Sequence, residues 1–265
     1  SLFSQRRRQF QIYRASRICS VEASPTIDCL GDDSIDVQLR LSHTMGGGDD
    51  EHGFISLVFE EIPSNEMLTR ARTFHEQMGR RRTTRHFSTR EVPRELIELA
   101  IKTASTAPSG AHLQPWTFVA VSNTKLKAQM RKAAEQEEKQ TYDERMPEAW
   151  AELIRPLGTD HVKEHITDAP WVIVLFRQSK RPRDIGEWGP TYYAQESCGI
   201  AAGLFIAAVH NMGLTTLTHT PSPMGFLREL LGRPEHEHAM LLMPVGYPDE
   251  EAMVPNISRK SLDAV

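Results

Sequence analysis

The stretch Trp171–Gln178, WVIVLFRQ, begins with six consecutive apolar residues and contains neither glycine nor proline. A short apolar run of this kind, without alternating polar positions, is typical of a strand that is buried on both faces. The sequence therefore predicts a central sheet with other elements packed on each side of it.

Further strands and helices surround this stretch along the chain. Strands are predicted at 116–122, 214–220 and 238–248. Apolar residues at helical spacing predict one helix with Ser64 as its N-cap and another that begins at Pro93. Asn123 is predicted to cap a long polar helix that runs to about Met146, and the Ala- and Gly-rich segment 197–213 predicts a buried helix. Because helices and strands interleave around a sheet, the pattern alone allows α/β or α+β.

The composition excludes several functional classes. The chain has 265 residues, of which 39% are hydrophobic and 25% charged, and this is typical of a globular protein with a sizeable core. A net charge of −4 gives no overall attraction to nucleic acid. The three cysteines are far apart, so no disulfide framework is expected, and Cys198 is interpreted as a buried, inert thiol. No metal site is expected, since Glu235–His238, EHEH, is interpreted as a solvated turn.

The N-terminal segment differs from the rest of the chain. Its first 20 residues contain five arginines and no acidic residue, and an acidic, glycine-containing stretch follows. This charge segregation predicts a disordered segment over residues 1–60 and a catalytic domain over 61–265. The Arg/Ser-rich start fits a transit peptide or a juxtamembrane stalk. Localisation therefore stays open between a protein anchored in a membrane by a segment before Ser1 and a soluble cytoplasmic protein.

Four short segments suggest an anionic ligand, and the first is Gly79–Phe87, GRRRTTRHF. The planar fork of arginine suits two-point contact with a phosphate, and threonine hydroxyls add hydrogen bonds. If this segment is helical, Arg81 and Arg85 lie on the same side. Taken alone, it also fits a solvated basic patch.

The second segment is Pro108–His112, PSGAH, where small residues leave backbone N–H groups uncovered beside the Ser109 hydroxyl. Taken alone, it also fits a tight turn between a helix and a strand. No G-x-G-x-x-G motif opens a helix after a strand, and this disfavours a Rossmann dinucleotide site.

The remaining two segments are Thr216–Pro221, TLTHTP, and the late PNISRK, which contains Arg259. Strand alternation places Thr218 and Thr220 on the same face, and Arg259 could reach back to a phosphate. A planar, anionic cofactor rich in hydrogen-bonding groups would use all four segments, and FMN fits that description.

Together these segments resemble the nitroreductase-like FMN flavoproteins, and in particular the iodotyrosine deiodinases among them, from about Ile62 to Leu262. The resemblance rests on RRRTTRHFS, TAPSGAHLQPWTFV, the Glu-x3-Tyr of EKQTY, VKEHITDAPW, TLTHTP, LLGRP and LLMPVGYP with VPNISRKSLD. It implies an α+β fold with a central, mostly antiparallel sheet flanked by helices. It also implies an intertwined homodimer with FMN at each subunit interface.

The resemblance assigns roles around FMN. The phosphate and ribityl end would be held by Arg81, Arg82, Thr83, Thr84 and Arg85, with help from Arg259. Ser109 would contact the flavin, and Thr218–Thr220 would lie along its ring system. The Thr220 hydroxyl would bond to flavin N5 and favour one-electron transfer over hydride transfer. His219 belongs to the same segment but stands where the family leads us to expect a threonine, and its side chain is expected to point away.

The resemblance also implies a substrate site. The Ala111 N–H would receive the phenolate of a halogenated tyrosine. Glu138 would bind its ammonium group, while Tyr142 and Lys163 would bind its carboxylate. Read without the family, these three side chains also fit an ordinary solvated surface.

The implied activity is reductive dehalogenation of mono- and diiodotyrosine to tyrosine and iodide. NADPH would be the ultimate electron donor, through a separate reductase. The alternative is a general NAD(P)H-dependent nitroreductase or flavin reductase, which has no need for Glu138, Tyr142 and Lys163 together. A third reading is a flavoprotein that binds tyrosine derivatives as a sensor without turnover.

Overall fold

The structure is a computed structural model and describes residues 28–29, 34–37, 54–183 and 186–265. Its strands are β1 (Asp28–Cys29), β2 (Ser34–Val37), β3 (Trp116–Val121), β4 (Trp171–Gln178), β5 (Lys180–Pro182), β6 (Trp188–Pro190), β7 (Thr215–Thr216) and β8 (Glu237–Gly246). Its helices are α1 (Ser64–Gly79), α2 (Arg94–Ala104), α3 (Thr124–Gln140), α4 (Glu148–Ile154), α5 (His165–Asp168), α6 (Ala194–Asn211) and α7 (Gly225–Leu230). Most of the predicted disordered segment, residues 1–60, lies outside the described residues.

The central sheet has six strands in the order β1-β2-β3-β4-β8-β7, and β5 and β6 form a separate pair. Every pair of neighbouring strands is antiparallel. Since helices flank this antiparallel sheet, the fold is α+β, and the α/β alternative is excluded.

The predicted central strand is confirmed, because β4 lies between β3 and β8 and its apolar side chains alternate between two cores. Ile173 and Leu175 pack with residues of α2 and α6 on one face of the sheet. Val172, Val174 and Phe176 pack with residues of α3, α5 and α7 on the other. Both faces exclude water, which is why this strand has no polar alternation.

Several element boundaries differ from the predictions. Pro63 precedes α1, and Ser64 is the first helical residue, without a side-chain cap. Asn123 does cap α3, since its side chain accepts a hydrogen bond of 2.9 Å from the Leu126 N–H. The predicted strand 214–220 is confined to β7, because the chain leaves the ladder after Thr216.

The predicted solvated turn at EHEH was wrong in part. Glu237 is the first residue of β8, and it is only 1% exposed. Its carboxylate forms an ion pair with Arg233 at 2.8 Å and accepts a hydrogen bond of 2.7 Å from the Thr117 hydroxyl. A buried carboxylate needs such partners, and here they hold the start of the strand.

Helix α6 is buried along one face only. Cys198 lies on the buried face, where burial raises the pKa of its thiol to about 12, and this agrees with an inert role. The other face exposes Gly199, Ile200 and Gly203. In the part of the chain that the structure describes, no helix is long and apolar enough to cross a membrane.

We expect Ile173→Ala to lower the free energy of unfolding by about 2–5 kcal/mol, because it removes a fully buried side chain between tightly packed layers. Leu153→Ala is the control, since Leu153 is 75% exposed on α4 and its truncation should change stability by less than about 0.5 kcal/mol. Urea unfolding followed by circular dichroism would measure both, and equal losses would contradict the core described for β4.

Candidate functional site

A cavity of about 390 Å³ opens beside the C-terminal end of α1. The chain leaves the helix at Gly79 and runs in an extended conformation beside the C-terminal segment. The lining residues are Gly79, Arg81, Arg82, Thr83, Arg85, Leu157, Pro255, Ile257, Ser258 and Arg259. The structure thus brings together four of the predicted arginines, and the one from the end of the chain is among them.

The arginines place uncompensated positive charge around this cavity. None of the four guanidinium groups has a carboxylate partner among the described residues. Arg259 instead donates to the carbonyl oxygens of Gly79 at 3.0 Å and Arg81 at 2.7 Å, and Arg82 donates to that of Pro255. Burial, together with the charges of Arg259 and Arg82, lowers the pKa of Arg81. An anion would relieve this repulsion, so the cavity suits a phosphate.

Arg81 and Arg85 both line the cavity, although the segment that carries them is not helical. The segment is extended, and Thr83 forms a parallel bridge with Thr216 of β7. Arg81, Thr83 and Arg85 alternate along this segment and line the cavity, and Arg82 lines it as well. Thr84 is buried and lines a second cavity, of about 160 Å³, which Arg81 and Arg82 also line.

The three predicted substrate residues form a cluster. Lys163 Nζ lies 3.2 Å from Glu138 Oε2, and both side chains are largely buried. Lys163 Nζ also lies over the Tyr142 ring, 5.8 Å from its centroid, and donates to the Asp160 carbonyl. The Tyr142 hydroxyl contacts that of Thr159 at 2.9 Å. Here, then, the acid and the base neutralise each other.

The segment between Tyr142 and Lys163 also contributes to the arginine cavity. Glu138 lies near the end of α3, Tyr142 in the π-helical turn Thr141–Arg145, and Lys163 after α4. Leu157, between Tyr142 and Lys163, lines the arginine cavity. Burial is the main cause that raises the pKa of Tyr142, and the hydrogen bond with Thr159 opposes that shift.

Glu138 has a second partner on its other oxygen. His219 Nε2 lies 3.2 Å from Glu138 Oε1, and His219 Nδ1 lies 3.3 Å from His165 Nε2. Burial alone would raise the pKa of Glu138, but the hydrogen bond from His219 and the charge of Lys163 hold it below its usual value. Glu138 is therefore ionised at neutral pH.

The predicted flavin-facing segment has two sides. Thr218 and Thr220 are exposed, whereas His219 between them is buried. The expectation that the His219 side chain points away from the two threonines is confirmed. That side chain contacts Glu138, so it belongs to the substrate cluster rather than to the threonine face.

The Ser109–Gln114 loop has an unusual backbone. Ala111, His112 and Gln114 have φ values of 50°, 53° and 47°, which residues other than glycine rarely adopt. The Ser109 hydroxyl stabilises this shape by accepting a 2.9 Å hydrogen bond from the Gln114 N–H. Ala111 is exposed in the first turn of a three-residue 3₁₀ helix, where N–H groups have no acceptor within the helix.

Gly110 explains why this loop consists of small residues. A Cβ at this position would lie 2.8 Å from the Tyr192 carbonyl oxygen and 2.9 Å from the Tyr193 ring. The loop is thereby seated against the N-terminus of α6. Neither Ser109 nor Ala111 lines the arginine cavity in the single chain.

Sequence reasoning missed two members of the substrate cluster, Thr159 and His165. His165 stands two residues after Lys163 within the quoted motif VKEHITDAPW, and this proximity was the available signal. Thr159 carried no signal, because only the folded segment brings it to Tyr142.

Comparisons with known proteins agree with this geometry. The pattern of the nitroreductase family matches residues 78–247. An iodotyrosine deiodinase from Haliscomenobacter hydrossis is 50% identical over 212 residues, which are 80% of this chain and 96% of that relative. Iodotyrosine deiodinase 1 from Homo sapiens is 42% identical over 80% of this chain and 73% of its own length.

A solved structure is similar as well. It is the crystal structure of oxidized iodotyrosine deiodinase bound to FMN and 3-iodo-L-tyrosine, with a TM-score of 0.63 and 27% identity. The match covers 71% of this chain and 96% of that one.

We expect Arg81→Gln to weaken FMN binding about 10- to 100-fold, because a charged hydrogen bond to phosphate is worth about 1.5–3 kcal/mol. Binding of riboflavin, which has no phosphate, should not change. Arg70→Gln is the control, since Arg70 is exposed on α1 and pairs with Glu66 outside the cavity. Quenching of flavin fluorescence would measure all affinities, and equal weakening for both flavins would contradict the phosphate role.

Proposed function

The chain belongs to the nitroreductase family, and from this we propose that it uses FMN to remove halogen reductively from halogenated tyrosines. The resemblance to iodotyrosine deiodinases stated from the sequence is confirmed by the relatives. The protein is accordingly an oxidoreductase with FMN as its cofactor.

The observation that carries this proposal is the buried ion pair between Glu138 and Lys163, next to the arginine cavity. A free amino acid presents an ammonium group and a carboxylate with the same pair of charges. It can therefore replace the internal pair with two pairs, ammonium with Glu138 and carboxylate with Lys163. The Tyr142 hydroxyl adds a donor to the carboxylate, and a general nitroreductase needs no such arrangement.

The arginine cavity fits the phosphate end of FMN. Arg81, Arg82, Arg85 and Arg259 line the cavity and would hold that phosphate, and Thr83 would add a hydroxyl beside it. When bound, FMN supplies the two electrons, one at a time, that replace the carbon–halogen bond by a carbon–hydrogen bond, with one proton taken up and halide released.

Two other segments act near the reacting ring of the substrate. Thr218 and Thr220 are exposed and would form the face turned towards the flavin, where the Thr220 hydroxyl would bond to the N5 atom. The exposed Ala111 N–H receives the phenolate oxygen, because its place in the first helical turn leaves it free to donate. Ser109 keeps this N–H oriented through its hydrogen bond to the loop backbone.

The segment from Tyr142 to Lys163 acts as a lid. Its two ends carry the carboxylate-binding side chains, and its middle contacts the cavity through Leu157. Binding of the amino acid at both ends would close the segment and exclude water from the flavin face.

A homodimer would complete this site. Phe54, Leu57 and Val58 are each more than 70% exposed in the single chain, and so large an apolar surface indicates a protein partner. Gly199 and Gly203 also leave a flat face on α6, where a second helix could approach closely. Because the Ser109–Gln114 loop sits at the N-terminus of α6, this pairing places Ala111 at the interface.

The catalytic domain comprises residues 61–265. We propose that a separate NADPH-dependent reductase supplies the electrons.

The activity is tested by anaerobic turnover of diiodotyrosine by the FMN-loaded full chain with dithionite as reductant. We expect stoichiometric release of iodide and tyrosine, since dithionite replaces the natural electron donor. Ion chromatography and liquid chromatography measure the two products. The same protein without FMN is the control and should release neither.

Two results would overturn the proposal. The first is reduced, FMN-loaded protein that releases no iodide but oxidises NADPH with nitroaromatics, which indicates a general reductase. The second is tight binding of diiodotyrosine without turnover, which indicates a sensor.

The dimer is tested by Gly199→Leu combined with Gly203→Leu. We expect the mass from sedimentation equilibrium to fall from twice the chain mass of 30.0 kDa to that of one chain, because the leucines block helix approach. FMN affinity should fall with it. Ala149→Leu, on the exposed surface of α4, is the control and should stay dimeric. A single-chain mass for the parent protein would contradict the proposal.

A further inference from the structure

We propose that His219 is a positioning residue that holds the Glu138 carboxylate ready for the ammonium group of the substrate, with His165 fixing the His219 ring. This inference rests on the proposed function and extends it to two residues outside the Glu138, Tyr142 and Lys163 trio.

Three side chains, those of His165, His219 and Glu138, are linked in series by hydrogen bonds that end at the substrate site. His165 Nε2 lies 3.3 Å from His219 Nδ1, and His219 Nε2 lies 3.2 Å from Glu138 Oε1. The two imidazole rings meet edge to face, with centroids 5.0 Å apart and an interplanar angle of 80°. Both histidines are less than 10% exposed, so water does not compete for these contacts.

The protonation states of the two histidines determine which atom donates and which accepts in these hydrogen bonds. Burial is the main cause that lowers the pKa of His165 to about 2, and burial also lowers that of His219, so both rings are neutral. A neutral imidazole has one donor and one acceptor nitrogen. Because ionised Glu138 can only accept, His219 carries its proton on Nε2 and accepts on Nδ1. His165 must then donate from Nε2.

This arrangement matters most when substrate binds. In the single chain, Lys163 holds Glu138 Oε2 and His219 holds Oε1. When Lys163 turns towards the substrate carboxylate, His219 remains as the donor that keeps Glu138 from rotating. The ammonium group therefore meets a carboxylate that is already oriented, which lowers the entropy lost on binding.

The backbone around His219 is held independently of its side chain, so a substitution there should not disturb Thr218 and Thr220. His219 exchanges two backbone hydrogen bonds of 2.9 Å with Leu242, and these do not depend on its side chain. Thr218 and Thr220, on either side, are exposed, whereas the His219 side chain is buried against Glu138. A substitution at His219 is thus expected to disturb ammonium recognition and leave the threonine face intact.

The test compares 3-iodotyrosine with its desamino analogue, which keeps the phenol and the carboxylate but has no ammonium group. Dissociation constants come from quenching of flavin fluorescence in the FMN-loaded full chain. His219→Leu should weaken 3-iodotyrosine about 10-fold or more, since it removes a hydrogen bond to a charged group, and leave the analogue unchanged. His219→Gln should restore most of the affinity, because its amide can donate to Glu138.

Glu138→Gln is the reference variant and should show the same selective loss. Unchanged 3-iodotyrosine affinity in His219→Leu would overturn the inference. Equal weakening of both ligands would overturn it too, because that pattern indicates general damage. If the parent protein does not bind 3-iodotyrosine, the proposed function itself fails, and this result is distinct from the other two.

Discussion

Four guanidinium groups share one cavity in this chain, and no carboxylate among the described residues neutralises them. Like charges at close range repel each other, so this arrangement is stable only when something else holds the arginines in place. The end of α1, the bridge between Thr83 and Thr216, and the carbonyl groups that accept from Arg82 and Arg259 all do so. The fold thus fixes positive charges in the cavity that a bound anion would neutralise.

In the substrate cluster the charges are balanced within the protein. Glu138 and Lys163 form an ion pair and neutralise each other without any ligand. The two designs suit two kinds of ligand. Charge that has no internal partner would suit a retained cofactor, whereas an internal ion pair would suit an exchanging substrate that replaces it on binding and restores it on leaving. Leu157, in the segment between Tyr142 and Lys163, lines the arginine cavity, so the two sites share this segment.

The places where the structure departs from local sequence patterns share a physical cause. The arginine segment is not helical, and Thr83 instead forms a bridge with Thr216 of β7. Glu237 was predicted to lie in a solvated turn, since the sequence pattern does not show that the fold places Arg233 and Thr117 against its carboxylate. Local sequence reports propensity, and in each case a contact from a distant part of the chain outweighed it.

By itself, the sequence determined the central strand, the helical faces and the arginine-rich site, because burial periodicity and arginine clustering are local properties. Glu138, Tyr142 and Lys163 were identified only through the resemblance to a known family, since their residue types alone also fit a solvated surface. Only the tertiary structure decided that Lys163 meets Glu138, that Thr84 leaves the arginine cavity and that His219 joins His165 behind the substrate site. These outcomes depend on which residues the fold brings within hydrogen-bonding distance. Their separation along the sequence does not reveal which of them are close in space.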